Sequence, residues 1–73
     1  MAYLYLVTGS EDRPIAIFTN ARRACRRAIS YVGGSPALLA DMTKEVRSTG
    51  YDGVDVHGRE TRSADVTRFI ANK

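Results

Sequence analysis

The sequence predicts a small α+β domain spanning residues 1–73, an antiparallel sheet packed on two helices in the order ββααββ. Two runs of strand formers at the start, two helical apolar stripes in the middle and a short alternating stretch near the end predict it. Tyr3-Leu4-Tyr5-Leu6-Val7-Thr8 and Pro14-Ile15-Ala16-Ile17-Phe18 are the strand runs. Gly9-Ser10-Glu11-Asp12-Arg13 between them has the length and polarity of a hairpin loop. Pro14 stands at the first residue of a strand, where a missing N–H is tolerated.

Thr19 or Asn20 offers an N-cap oxygen to the first helix. Ala21, Ala24, Cys25, Ala28, Ile29 and Val32 then recur at helical spacing, with Arg22, Arg23, Arg26 and Arg27 on the other side. Gly33-Gly34 stops this helix, because glycine accepts the left-handed residue that closes it. Ser35-Pro36 restarts the chain as a cap followed by proline at the first helical position. Leu38, Leu39, Met42 and Val46 form the second stripe, and Gly50 ends it. Tyr51 to His57 reads as a short half-buried strand carrying Val54 and Val56, and His57 to Thr61 as a turn. For the last element two readings stand. Ser63-Ala64-Asp65 can cap a helix with Val66, Phe69 and Ile70 on one face. Val66-Thr67-Arg68-Phe69-Ile70 also holds four strand formers in five residues, and the strand is favoured because an isolated hairpin is marginal.

Composition narrows the function classes. Of the 73 residues, 44% are hydrophobic and 26% charged, an ordinary globular balance that argues against disorder and low complexity. No run approaches the roughly 18 apolar residues of a membrane span, and the first residues lack the basic flank and cleavage site of a secretion signal. A single cysteine cannot form an internal disulfide. The expected location is the cytoplasm, of a bacterial host in the resemblance below. A core of this size rarely supplies more than ~3–5 kcal/mol and leaves little material for a catalytic pocket, so a module working through its surface is expected, as monomer or homodimer.

The net charge of +3 is unevenly placed. Arg13, Arg22, Arg23, Arg26 and Arg27 fall in a stretch with no acid from Arg13 to Ala40, whereas from Asp41 onward six bases balance six acids. Arg22/Arg26 and Arg23/Arg27 are like-charged i,i+4 pairs, each costing an isolated helix about 0.2–0.5 kcal/mol. Such a cluster is either paired with acids elsewhere in the fold, left as a solvated face, or presented to an acidic partner. Arginine's planar fork suits carboxylates and phosphates. On the first strand Tyr3, Tyr5 and Val7 alternate with Leu4, Leu6 and Thr8. If the helices cover the leucine side, Tyr3 and Tyr5 face outward as stacking platforms or interface anchors.

No catalytic site, metal site or cofactor is expected. Cys25 sits on the apolar stripe and reads as a buried thiol. His57 with Asp55, even with Asp52 added, falls short of a zinc set that includes a second histidine or cysteine. The serines have cap or loop explanations, and Gly33-Gly34-Ser35 lacks the Gly-Lys-Ser/Thr of a phosphate loop.

The short strand pair Tyr3–Thr8 and Pro14–Phe18, followed by an alanine-rich helix within the charged segment Arg13–Val32, resembles small phage and prophage proteins, among them the anti-CRISPR proteins. The resemblance implies a non-enzymatic inhibitor that binds a CRISPR effector complex and blocks it sterically. Many such inhibitors are acidic mimics of DNA. This chain is basic, so its arginines would engage an acidic protein surface or nucleic acid within a nucleoprotein complex, with Tyr3 and Tyr5 as anchors. The competing readings are a nucleic-acid-binding module using the same arginines, and a homo-oligomeric structural protein.

Overall fold

A computed structural model describes residues 2–71. Strands β1 (Ala2–Thr8) and β2 (Pro14–Phe18) are followed by helices α1 (Ala21–Val32) and α2 (Leu39–Thr49), then strands β3 (Tyr51–Val56) and β4 (Arg62–Ala71). The fold is therefore α+β, with one antiparallel sheet in the order β2-β1-β4-β3. The last element is the strand, not the helix. β4 is longer than the run of strand formers suggests, because it lies between β1 and β3 and pairs with both.

Local chemistry sets the element ends. Asn20 is the cap of α1, its side-chain oxygen accepting from the Arg23 N–H at 3.1 Å. Gly33 and Gly50 close α1 and α2 in the left-handed conformation, with φ of 74° and 86°. The Ser35 hydroxyl accepts from the Ala37 N–H at 3.2 Å and caps a separate 3-10 turn over Pro36–Leu38, so α2 begins at Leu39 rather than at Pro36. The hairpin tip is tighter than its composition suggests. The Arg13 N–H donates to the Ser10 carbonyl at 3.3 Å, and both central residues, Glu11 and Asp12, are left-handed with φ of 61° and 58°. That is the mirror-image turn favoured by twisted hairpins, made here without asparagine or glycine at its centre. Beside it the β1–β2 register slips by one residue between Val7 and Thr8, which turns Ile15 toward the core.

Both helices lie on one face of the sheet. The core joins Tyr5 and Val7 of β1, Val54 of β3 and Ala64 and Val66 of β4 to Ala21, Ala24, Cys25, Ala28, Ile29 and Val32 of α1 and Met42 and Val46 of α2. The largest wholly enclosed side chains are valines and a cysteine. Small residues on α1 let the helix sit close and leave volume for the Tyr5 ring.

This packing reverses the expectation for β1. The helices cover the tyrosine side, so Tyr5 is 7% exposed and belongs to the core. Tyr3 shares that side at the strand's end, its ring 6.4 Å from that of Tyr5 and 4.5 Å below the Arg68 guanidinium carbon. Neither tyrosine stands on the open sheet, where Leu4, Leu6 and Thr8 lie instead. Leu38, expected in the second stripe, is exposed, and Thr43 takes a buried place on α2 with its hydroxyl donated to the Leu39 carbonyl at 2.7 Å.

Candidate functional site: the arginine face of the first helix

Arg22, Arg23, Arg26 and Arg27 all project from the solvent side of α1 and are exposed. They fall there because every position between them is an apolar residue pinned to the sheet. Three hollows open to solvent border them. One, of about 470 Å³, lies between the two helices and is lined by Arg22, Ala40, Thr43, Lys44, Arg47 and Ser48. A second, of about 420 Å³, runs along the β2 side of α1 and is lined by Phe18, Arg23, Arg26, Arg27 and Ser30. In the third, Arg26 borders Ile29, Ser30 and the Gly33-Gly34 stop, with Pro36 and Leu39 opposite. Among the described residues no carboxylate lines any of the three. Lys44 and Arg47 of α2 thus extend the basic surface, which only the side-by-side packing of the helices reveals.

The placement of these charges opposes the helix that carries them. Arg22 and Arg23 occupy the second and third helical positions after Asn20, and the first turn holds no acid. The helix dipole makes that end positive, so cations there cost about 0.3–1 kcal/mol each before their mutual repulsion is counted. The dipole and the guanidiniums add to one field, which draws anions to the N-terminal half of α1.

Arg13 does not join this face. It ends the hairpin turn, and Tyr31 near the far end of α1 stacks over Gly9 of that same loop, so Arg13 lies at the opposite end of the helix from Arg22 and Arg23. Gly9 is required there, because a Cβ would stand 2.8 Å from the Tyr31 ring. Tyr5, in the core, and Tyr3, exposed but set beneath Arg68, likewise are not among the residues lining its hollows.

The groups set aside earlier fall elsewhere. Cys25 is buried, and its burial pushes the thiol up from 9.0, only partly offset by the neighbouring Thr43 hydroxyl. His57 is exposed beyond β3, its Nδ1 3.3 Å from the Thr61 hydroxyl. Among the described residues no group of three or more His, Cys, Asp or Glu side chains is placed to hold a metal, and no helix is long and apolar enough to cross a membrane. No protein-family model, no curated protein and no solved structure matches this chain.

Proposed function

We propose that this chain is a small non-enzymatic binding protein whose working surface is the arginine face of α1, and that this face docks on the phosphates of a nucleic acid, free or held in a nucleoprotein complex. The carrying observation is the basic surface of Arg22, Arg23, Arg26 and Arg27, whose hollows are lined by no carboxylate among the described residues, continued by Lys44 and Arg47 and placed against the helix's own dipole. Phosphates are favoured over a protein surface because the two tyrosines expected as interface anchors are not on this face, Tyr5 being in the core and Tyr3 under Arg68, and Phe18, half-buried, is the aromatic bordering its hollows. Backbone phosphates need only positioned cations. Base stacking on the sheet is not part of this proposal, since the tyrosines expected there are on the other side.

The resemblance to anti-CRISPR proteins gives the proposal a specific form, in which the face covers nucleic acid held by a CRISPR effector and blocks it sterically. Two experiments test the levels separately. Fluorescence anisotropy with labelled duplex and single strands at low salt should show binding that the R22Q/R23Q/R26Q/R27Q variant loses. No binding at micromolar protein would dismiss the phosphate reading. A CRISPR-interference assay in a host expressing the chain should show relief that the same variant abolishes, and undiminished interference ends the inhibitor form.

A further inference from the structure

The side of the sheet that neither helix covers is apolar across all four strands. Ile17 of β2, Leu6 of β1, Thr67 of β4 and Tyr51 of β3 stand opposite one another in a single row, and Phe69 stands opposite Leu4 in the next. Ile17, Tyr51 and Phe69 are 64%, 51% and 49% exposed. We propose that a second copy of this chain covers this face, sheet against sheet, to form a two-fold dimer.

The distribution of volume supports it. The wholly enclosed side chains are small ones, led by three valines and a cysteine, while Ile17, Tyr51 and Phe69 stand exposed on the open face of the sheet. A monomer gains most by enclosing its largest apolar groups. This chain leaves these three where only another molecule reaches them.

The area is adequate. Four strands ~4.8 Å apart, of five to ten residues and seven on average, present a face of roughly 20 Å by 23 Å, about 900 Å² in projection for two copies. With the pleat and side chains the buried surface approaches the ~1,200 Å² at which specific interfaces begin. Flat antiparallel faces of this kind pack at about −30°, as in sandwiches.

Pairing through the sheet edges is hindered, which favours the face. At the β3 edge the Tyr51 N–H donates to the Thr49 hydroxyl at 3.3 Å, and that hydroxyl lies 2.9 Å from the Tyr51 carbonyl. The Gly53 N–H donates to the Asp52 carboxylate at 2.9 Å. The β2 edge opens with Pro14 and carries the bulge at Ile15.

Charge argues for a second copy over the anionic partner of α1. Asp55 and Asp65 flank the apolar rows at the β3–β4 side, and Asp65 accepts the Tyr51 hydroxyl at 2.9 Å. Polyanions are repelled from this side, whereas a two-fold axis running along the strands between β1 and β4 sets β1 on the copy's β4 and β2 on its β3, so that apolar rows meet and the carboxylates lie toward one end. The dimer keeps both arginine faces outward, because α1 lies on the opposite side of each sheet.

Sedimentation of the free protein between ~1 and ~500 µM tests this without any nucleic acid, so its outcome is independent of the phosphate proposal. The mass should rise from 8.0 kDa toward twice that value. Ile17→Lys with Phe69→Lys should hold the protein at the monomer mass with an unchanged circular dichroism spectrum. Should the lysines unfold the chain, Ile17→Thr with Phe69→Thr replaces them, with the affinity expected to fall at least 10-fold. A mass fixed at 8.0 kDa throughout, or a dimer that folded variants leave intact, overturns the proposal.

Discussion

Arg68 bridges the last strand to both the first strand and the second helix: its guanidinium carbon lies 4.5 Å above the ring of Tyr3, while its Nη1 donates to the Arg47 carbonyl at 2.8 Å. The Arg47 carbonyl belongs to the last turn of α2, one of the acceptors a helix leaves without an internal partner, and a cation there also suits the dipole. A single side chain thus secures the end of α2 and roofs the exposed end of the tyrosine pair.

Arg68→Ala should therefore destabilise the fold by about 1–2 kcal/mol, summing an exposed cation–π contact and a charge-assisted hydrogen bond. Arg68→Lys should recover only part, since an ammonium cannot keep both geometries. Urea denaturation of the three proteins checks this, with a loss below ~0.5 kcal/mol in the alanine variant counting against the bridge.

The hairpin tip holds two non-glycine residues at positive φ, Glu11 at 61° and Asp12 at 58°. Aspartate tolerates that region better than glutamate, but neither matches Asn-Gly in a mirror-image turn. Glu11→Asn with Asp12→Gly should raise stability by about 1 kcal/mol, visible as a higher melting temperature.

Two groups weaken the fold as pH rises. Burial holds the Cys25 thiol above 9.0, and donation to the Asp65 carboxylate, with the negative charge beside it, holds the Tyr51 phenol above 10.0. Both shifts are upward, so each group's contribution is complete below its unfolded pKa and lost as pH rises through the folded one. Stability should be level from neutral pH to about 9 and then decline, first through Cys25 and later through Tyr51. Cys25→Ala should remove the earlier loss and Tyr51→Phe the later one. At pH 8 the native thiol should react with a disulfide reagent only at the rate of unfolding.

The arginines of α1 should contribute nothing to folding. Replacing all four by glutamine removes two like-charge pairs and the unfavourable cations of the first turn, at little change in helix propensity. The R22Q/R23Q/R26Q/R27Q variant should be more stable than the parent by about 1 kcal/mol. A loss of stability would mean that these guanidiniums hold the fold together.

Much of this architecture was legible because turn and cap chemistry is local. Asn20, Gly33 and Gly50 end the helices where their backbone preferences require, and the spacing of Ala21 to Val32 assigned the buried side of α1 correctly. The inward face of β1 was not legible. Alternation identifies a face only when one side is polar, and here Tyr3-Tyr5-Val7 opposes Leu4-Leu6-Thr8, both apolar. The small α1 residues settle the choice by admitting the Tyr5 ring, a fact of packing rather than of sequence pattern. That same two-sided apolarity is what leaves the open sheet unpartnered. The four arginines were found from their run without acids, whereas Lys44 and Arg47 joined them only through the packing of α2 beside α1.

The dependence of nucleic-acid affinity on salt tests the central claim most directly, that α1 presents its arginines to phosphates. Four such contacts predict that log affinity falls against log salt with a slope of about −3 to −4, and that the glutamine variant flattens it. Affinity that is absent at micromolar protein in low salt, or that is indifferent to both salt and the four substitutions, would contradict it.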